Sequence, residues 1–221
     1  FMLTSFLPTF IALLLSIAAT RMLIYSAFPF NSLDVPGERS LHAHPTPRLG
    51  GVAILLGMIA GWVAVHVEQP LVSEFIFLVG AAVMVAAVSV ADDFLTLSQI
   101  GRFVVHLIAC ALIIFGTVYD NADWLLLAFY AISTIWLINL YNFMDGMDGF
   151  SGGMAVIGFG AMGLAAWFSG LGGLAMLIWV VAAAAMGFLV FNFPPARIFM
   201  GDVGSATLGF LVAGFSLWGI K

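Results

Sequence analysis

The stretch DWLLLAFYAISTIWLINLYNFMDGMDG, residues 123–149, joins a long apolar run to two aspartates that lie three residues apart. A bilayer core about 30 Å thick needs roughly 20 apolar residues in helical form. The run therefore predicts a membrane-spanning helix, which we place at residues 123–141. Asp145 and Asp148 are then expected just beyond the end of that helix, beside the membrane.

The composition of the whole chain is typical of a membrane protein. Of its 221 residues, 63% are hydrophobic and 8% are charged, whereas an ordinary soluble domain carries roughly a quarter charged residues. Eleven acids against six bases give a net charge of -5, which leaves no basic surface for a nucleic-acid partner. The single cysteine, Cys110, cannot form an internal disulfide and is predicted to pack inside a helix.

Eight segments have the length and apolar character of membrane spans. They lie at about residues 3–25, 50–67, 72–91, 100–118, 123–141, 151–168, 172–192 and 203–220. We therefore predict an all-α integral membrane protein, a polytopic helical bundle in which residues 1–221 form a single domain. The first segment is taken as a transmembrane helix and not as a signal peptide, because it is long and further spans follow it.

Charged residues assign sides to the connections between these spans. The odd-numbered connections are residues 26–49, 92–99, 142–150 and 193–202. They and their helix ends carry every arginine, namely Arg21, Arg39, Arg48, Arg102 and Arg197. By the positive-inside rule this side faces the cytoplasm. The same side holds five carboxylates, those of Asp92, Asp93, Asp145, Asp148 and Asp202.

Two of the acidic motifs end a predicted span. In ADDF, residues 91–94, adjacent carboxylates repel unless a cation lies between them or one is protonated. The alternative is an acidic helix end facing water, with Arg102 as a candidate partner. Asn142, Asp145 and Asp148 recur every three residues, so a helical or turn-like backbone would project them to one side. The alternative here is loop chemistry, because Asp-Gly pairs commonly form turns.

Two further motifs combine arginine with glycine and proline. In FNFPPARIFMGDVGS, residues 191–205, Arg197 offers a planar fork of donors suited to phosphate. Asp202 has an alternative role as the N-cap of the next helix. The loop DVPGERSLHAHPTPRLGG, residues 34–51, holds histidines and arginines, which is typical of anion recognition, with membrane anchoring as the alternative.

The donor types of these motifs favour a hard cation. His42 and His44 would be compatible with zinc, but no cysteine is near them in the sequence. Carboxylate oxygens are the ligands that Mg²⁺ or Mn²⁺ prefers. His44, Arg48 and Arg197 are the candidates for binding the anionic groups of a substrate.

Taken in order, DVPGERSLHAHPTPRLGG, ADD, NFMDGMDG and FMGDVGS resemble the motifs of the polyprenyl-phosphate N-acetylhexosamine-1-phosphate transferases, which are grouped as glycosyltransferase family 4. The resemblance runs from about residue 34 to the end of the chain. It implies transfer of a sugar 1-phosphate from a UDP-sugar to polyprenyl (undecaprenyl) phosphate at the cytoplasmic face of the bacterial inner membrane, with release of UMP. It also implies Mg²⁺, with Mn²⁺ as the alternative, and a role in starting cell-wall or lipopolysaccharide glycans. A homodimer is a candidate assembly.

The resemblance also implies roles for individual residues. Asp92 and Asp93 match the aspartate pair that handles and deprotonates the lipid phosphate, and Asp202 matches the Mg²⁺ ligand. Asn142 and Asp145 match a pair near the reacting phosphates. Three further matches are to nucleotide-binding positions. Gly146, Met147 and Asp148 match the stretch that meets the uracil. Asn192 matches an asparagine that contacts the nucleotide, and Phe199 matches an aromatic residue whose ring can stack on the base.

Two alternatives and two departures from the family pattern accompany this interpretation. Family members usually have ten or eleven spans and a later loop with clustered histidines, so we expect this chain to lack the family's C-terminal helices. A cation-coupled transporter is one alternative, although it would need acids near the membrane midplane rather than at helix ends. A catalytically inactive scaffold subunit is the other. Arg102 stands close to where the family often has a lysine.

Overall fold

The computed structural model describes residues 6–25, 33–34, 45–70, 72–95 and 97–220. Within these ranges, eight long α-helices correspond to the eight predicted spans. They are α1 (Leu7–Tyr25), α2 (Gly50–Glu68), α3 (Ser73–Leu95), α4 (Gln99–Thr117), α5 (Trp124–Met144), α6 (Phe150–Phe168), α7 (Gly172–Asn192) and α8 (Gly201–Ile220). Each is long and apolar enough to cross a membrane. The prediction of an all-α, polytopic membrane protein is confirmed.

Short elements that the sequence did not predict lie in two of the connections. Strands β1 (Leu33–Asp34) and β2 (Thr46–Pro47) form an antiparallel ladder of two residues each. A single 3₁₀ turn, Tyr119–Asn121, follows α4. Strands this short contain too few residues to show an alternating pattern, which is why the sequence gives no signal for them.

Three helix ends differ from the prediction in ways that move site residues. Helices α3 and α5 continue about one turn further than expected, so Asp92 and Asn142 lie within helices and not in the connections. No glycine or proline interrupts either helix before those positions, so nothing in the local sequence ends it earlier. Helix α8 begins at Gly201, so Asp202 belongs to its first turn and is not the residue before the helix.

The described chain forms two compact units. The first comprises Phe1–Gln69 and Met144–Gly204, and the second comprises Pro70–Phe143 and Ser205–Lys221. In the first unit α1 packs against α2 and α7, α2 packs against α7, and α6 packs against α7. In the second unit α3 packs against α4, and α8 approaches α5 closely at Gly209, where an added Cβ would lie 2.7 Å from the Leu137 carbonyl oxygen.

Small residues and buried hydrogen bonds hold the helices of the first unit together. Gly57 of α2 and Gly187 of α7 both face Ser16 of α1, at positions where a Cβ would overlap it. The Ser16 hydroxyl donates a hydrogen bond of 2.7 Å to the Ala184 carbonyl, and the Trp62 indole N–H donates one of 3.0 Å to the Leu177 carbonyl. In lipid, such close packing and interhelical hydrogen bonds take the place of the hydrophobic effect between helices.

The tightest backbone approach in this unit lies at the N-terminal ends of α2 and α8. A Cβ added to Gly51 would overlap the backbone nitrogen of Gly204 and would lie 3.0 Å from the Met200 carbonyl oxygen. Both partners are main-chain atoms, which cannot turn away as a side chain can. Only glycine at position 51 allows the two helix ends to meet in this way.

We expect Gly51→Ala to destabilise the protein, because its methyl group would force these main-chain atoms apart. Overpacking of this kind costs about 1–3 kcal/mol, which corresponds to a fall in Tm of about 3–10 °C for a chain of this size. Gly158→Ala is the matched control, since Gly158 lies in α6 with no atom within 4 Å of an added Cβ. Thermal unfolding in detergent should leave the control near the wild-type Tm. Equal Tm values for the two variants would contradict the packing described above.

Candidate active site

Two segments of the first unit pair through their backbones at the start of α2 and α8. The Phe199 N–H donates to the Pro47 carbonyl at 2.7 Å, the Gly50 N–H to the Phe199 carbonyl at 2.9 Å, and the Gly51 N–H to the Met200 carbonyl at 2.7 Å. The first N–H groups of a helix have no partner within it. This 47–51/199–201 pairing supplies partners for two of them in α2.

Asp145 follows α5 and lies mostly buried among polar groups that this pairing positions. Burial raises the pKa of Asp145 to about 7, while the Ser151 hydroxyl and the Gly201 N–H act against the increase through hydrogen bonds. The Asp202 carboxylate raises the pKa further, and the Arg48 guanidinium lowers it. The carboxyl groups of Asp145 and Asp202 are therefore close neighbours, with one arginine beside them.

The turn between α5 and α6 is tied to the loop between α7 and α8 by two side chains. The Gly149 N–H donates to Asn192 Oδ1 at 3.0 Å, and Asn192 Nδ2 donates to the Ile198 carbonyl at 2.9 Å. The Ala196 N–H donates to Asp148 Oδ2 at 2.9 Å. The structure thus brings together two segments that lie more than 40 residues apart in the sequence.

Other predicted binding residues lie on the same turn and loop. Met147 is 52% exposed, and Gly146 is exposed with no atom within 4 Å of an added Cβ. The guanidinium carbon of Arg197 lies 5.1 Å from the centre of the Phe191 ring, a cation–π distance. Phe199 is half-buried, and its backbone belongs to the 47–51/199–201 pairing.

In the second unit, Asp92 makes the ion pair that the sequence suggested. Arg102 Nη1 lies 2.7 Å from Asp92 Oδ2, and the Leu97 N–H donates to Asp92 Oδ1 at 2.8 Å. Asn142 Oδ1 accepts a hydrogen bond of 3.1 Å from the Ser205 hydroxyl. Arg102 is thus confirmed as the partner of Asp92 across the turn.

Two cavities lie along helices α4 and α5 of this unit. One of about 500 Å³ is lined by Gln99, Ile100, Arg102, Phe103, His106, Asn139 and Asn142. The other, of about 570 Å³, is lined by Leu107, Ile108, Cys110, Ala111, Leu112, Ile114, Phe115, Tyr119, Leu127 and Ala131. The first combines polar and apolar side chains, whereas the second is almost wholly apolar.

The donor set suits a magnesium ion that is completed by a substrate. Among the described residues, no three His, Cys, Asp or Glu side chains gather closely enough to hold a metal by themselves. Mg²⁺ is commonly bound by one or two carboxylates together with the phosphate oxygens of a substrate and water. Asp145 and Asp202 provide such a carboxylate pair, so the residues present fit the ion.

The five carboxylates predicted on one side of the membrane are divided between the units. Asp145, Asp148 and Asp202 belong to the first unit, and Asp92 and Asp93 belong to the second. Of the first three, Asp145 and Asp202 are neighbours, whereas Asp148 binds the Ala196 N–H. The side chain of Asp93 and all of His44 lie outside the described residues, so their roles stay predictions.

Sequence reasoning missed two contributors to this site. Ser151 lies in a run of small residues, FSGG, which reads as helix packing, yet its hydroxyl interacts with Asp145. Gly201 was not singled out either, yet its N–H also bonds Asp145, and its φ of +71° places it in a conformation that favours glycine. The only sequence signal for Gly201 was its position directly before Asp202.

The family model described as glycosyl transferase family 4 matches residues 75–220. The chain belongs to this family. The match covers most of α3 through α8 and therefore includes Asp92, Asn142, Asp145 and Asp202. The family prediction made from the sequence motifs is confirmed.

Curated relatives of this glycosyl transferase family 4 chain act on polyprenyl phosphates, according to their names. It is 30% identical over 227 residues to a probable undecaprenyl-phosphate N-acetylglucosaminyl 1-phosphate transferase from Bacillus subtilis (strain 168), covering 95% of this chain and 62% of the relative. It is 30% identical to a decaprenyl-phosphate N-acetylglucosaminephosphotransferase from Mycolicibacterium smegmatis, covering 93% of this chain and 57% of the relative. An undecaprenyl-phosphate alpha-N-acetylglucosaminyl 1-phosphate transferase from Escherichia coli (strain K12) is 27% identical, with 81% of this chain and 53% of the relative covered. The chain thus spans between about half and two thirds of the length of these relatives.

The raised pKa of Asp145 predicts a pH-dependent cost of folding. In the unfolded chain this carboxyl ionises near 3.8, whereas in the folded protein it ionises near 7. The folded state therefore bears no penalty below about pH 4. The penalty grows as the pH rises and levels off above about pH 7, at on the order of 4 kcal/mol. We expect Asp145→Asn to relieve it, because an amide oxygen can still accept the hydrogen bonds and carries no charge.

Thermal unfolding of the wild type and of Asp145→Asn, in detergent with a chelator present, would measure this cost. The two Tm values should be similar at pH 4, and the variant should be more stable by several degrees at pH 8. Asp148→Asn is the control, since it removes the same charge from an exposed carboxylate on the same turn. A Tm difference for Asp145→Asn that is the same at both pH values would show that Asp145 ionises normally in the folded protein.

Proposed function

We propose that this protein transfers an N-acetylhexosamine 1-phosphate from a UDP-sugar to polyprenyl phosphate, at the cytoplasmic face of a bacterial inner membrane, and releases UMP. The observation that carries the proposal is the pair of neighbouring carboxylates, Asp145 and Asp202, placed beside Arg48 at helix ends in a chain of glycosyl transferase family 4. The names of the relatives make N-acetylglucosamine the first sugar to test.

The reaction joins two anionic groups, so it needs charge neutralisation and alignment. An oxygen of the lipid phosphate attacks the phosphorus that carries the sugar. A new P–O bond forms to the lipid, and the P–O bond to UMP breaks with its electron pair on the departing UMP. Mg²⁺, held by Asp145 and Asp202 when bound, would polarise the attacked phosphorus and neutralise the leaving group.

Cationic groups of the first unit are suited to hold the phosphates in line. Arg48 lies by the acid pair, and Arg197 projects from the loop before α8 with its guanidinium over Phe191. Guanidinium groups bind phosphate through two parallel hydrogen bonds. The N-terminus of α8, which carries Asp202, adds a positive helix-dipole end that favours both phosphate and the aspartate.

The α5–α6 turn and the loop before α8 are proposed to bind the nucleotide. Gly146, Met147 and Asp148 would face the uracil, and the ring of Phe199 would stack on it. Gly146 and Met147 are exposed, so a base can reach them. His44 is retained as a candidate for the anionic part of the substrate.

The second unit is proposed to bind the lipid substrate. A polyprenyl phosphate has a charged end and a long apolar chain. Of the two cavities along α4 and α5, the half-polar one suits the charged end and the apolar one suits the chain. The half-polar cavity contains Arg102 and Asn142, while the apolar cavity continues along the same helix pair. Asp92, paired with Arg102, and Asp93 would orient and deprotonate the lipid phosphate. A homodimer stays a prediction for the assembly.

The positions of the acids favour a transferase over a cation-coupled transporter. Asp92 lies in the last turn of α3, Asp145 follows the end of α5, and Asp202 lies in the first turn of α8. A transporter that used carboxylates for its coupling ion would place them near the membrane midplane, at broken helices.

We expect Asp202→Asn to lower turnover by at least about 100-fold, because one of two carboxylates for Mg²⁺ is lost. The assay follows transfer of label from UDP-[³²P]GlcNAc, labelled in the β-phosphate, to undecaprenyl phosphate, with Mg²⁺ varied. Asp120→Asn is the control, since Asp120 is an exposed acid in the connection predicted to lie on the other side of the membrane. If Asp202→Asn transfers as much label to the lipid phase as the wild type does, Asp202 is not a metal ligand.

The proposed orientation has its own test. Gln99 and Asp120 are both exposed and lie at opposite ends of the α4 region, and the native Cys110 is buried. A cysteine at position 99 should react with a membrane-impermeant maleimide only after cell lysis, and one at position 120 should react in intact cells. The reverse pattern would place the acid pair outside the cytoplasm and contradict the proposal.

A further inference from the structure

Asn192 ends helix α7, where the oxygen and the nitrogen of its side-chain amide each bond a main-chain group. Its side chain is buried, with 5% of the residue exposed. Its oxygen accepts a hydrogen bond from the Gly149 N–H at 3.0 Å, and its nitrogen donates one to the Ile198 carbonyl at 2.9 Å. One side chain thus joins the end of a helix to two other segments of backbone.

The segments that Asn192 joins are the ones that carry the proposed reaction. Gly149 closes the turn that begins at Asp145 and also precedes the first residue of α6. Ile198 lies in the loop that leads to Asp202. A shift of this turn against this loop would therefore change the separation of the two carboxylates and the display of the residues between them.

The backbone at Gly149 shows how closely the two segments meet. Gly149 has a φ of +71°, which an L-residue adopts only with strain. A Cβ at this position would lie 3.1 Å from Pro194 Cδ and 3.6 Å from Phe193 Cα. The turn and the loop are in direct backbone contact, and Asn192 supplies the hydrogen bonds that fix their register.

We propose that Asn192 is a positioning residue, which holds the α5–α6 turn against the loop before α8 and keeps Asp145 aligned with Asp202. Its effect on the reaction rests on the proposed function, whereas its contacts with the two backbones do not. This role differs from the nucleotide contact that the family resemblance implies for the same residue. The oxygen and the nitrogen of its amide each make one hydrogen bond within the protein before any substrate binds.

An asparagine is required by the chemistry of the two partners. The Gly149 N–H needs an acceptor and the Ile198 carbonyl needs a donor, and a short amide supplies both. Aspartate at position 192 would keep the acceptor but would turn a negative oxygen toward the Ile198 carbonyl. Leucine has a similar size and would supply neither, which would leave a buried N–H and a buried carbonyl without partners.

The test compares Asn192→Asp and Asn192→Leu with the wild type in detergent. Hydrogen exchange of the Gly149 amide reports the tie directly, since Asn192 is the acceptor for that N–H. We expect exchange at Gly149 to rise about tenfold or more in Asn192→Leu and by less in Asn192→Asp, in the absence of any ligand. Gln69→Leu is the matched control, because Gln69 is also an amide of the first unit but caps the C-terminal end of α2, away from the turn and the loop.

Ligand binding and turnover separate positioning from contact. UMP is the binding probe, measured by calorimetry, and transfer from UDP-N-acetylglucosamine gives kcat and KM. A positioning role predicts faster Gly149 exchange without ligand together with a fall in kcat of about tenfold or more in both variants. Weaker UMP binding with unchanged Gly149 exchange would show that Asn192 contacts the nucleotide, and would overturn the proposal.

Two further outcomes are also decisive. Faster Gly149 exchange with unchanged kcat and KM would make Asn192 structural only, and would likewise overturn the positioning role. If the wild-type chain neither binds UMP nor transfers the sugar phosphate, the proposed function fails, and the Ala196 amide then provides the readout, since its N–H bonds Asp148 across the same turn and loop. In that case the proposal requires Ala196 exchange to rise in Asn192→Leu and to stay at the wild-type rate in Gln69→Leu.

Discussion

The backbone pairing of residues 47–51 with residues 199–201 is the constraint on which the rest of the candidate site depends. Three main-chain hydrogen bonds of 2.7–2.9 Å join the start of α2 to the start of α8. The pairing needs Gly51, because a Cβ there would overlap the Gly204 backbone. It also places Gly201 against the Arg48 carbonyl. The meeting of these two backbones thus brings Arg48 and Asp202 to neighbouring positions.

Much of this arrangement could be predicted from the sequence, and the reason differs between the fold and the site. The eight helices follow from runs of about 20 apolar residues, a signal that the bilayer makes nearly unambiguous. Ordered motifs identified the acids and the family. The predicted ends of α3 and α5 lie too early in the sequence. Polar residues such as Asp92 and Asn142 are typical of the connections between spans, but no residue there breaks the helix.

Contacts between distant segments could not be predicted from the sequence. Asn192 and Gly149 lie 43 residues apart, and Asp148 and Ala196 lie 48 apart. Neither pair has a periodic signal that relates one member to the other. Ser151 illustrates the same limit, because a serine among glycines is typical of close helix packing in lipid. Its relation to Asp145 exists only once the turn after α5 has folded back toward α8.

The charges at the acid pair do not balance with the described residues alone. Burial and, to a lesser extent, the neighbouring Asp202 carboxylate both disfavour the ionised form of Asp145. A helix N-terminus typically returns about 0.3–1 kcal/mol, and an exposed arginine such as Arg48 returns at most about 1 kcal/mol. These terms do not offset the repulsion and the burial of Asp145. A proton bound to the Asp145 carboxyl removes both penalties, which is why the pKa of Asp145 lies near 7. A divalent cation supplies twice that charge, so in exchanging the proton for Mg²⁺ the same pair would gain the positive charge that two phosphates require.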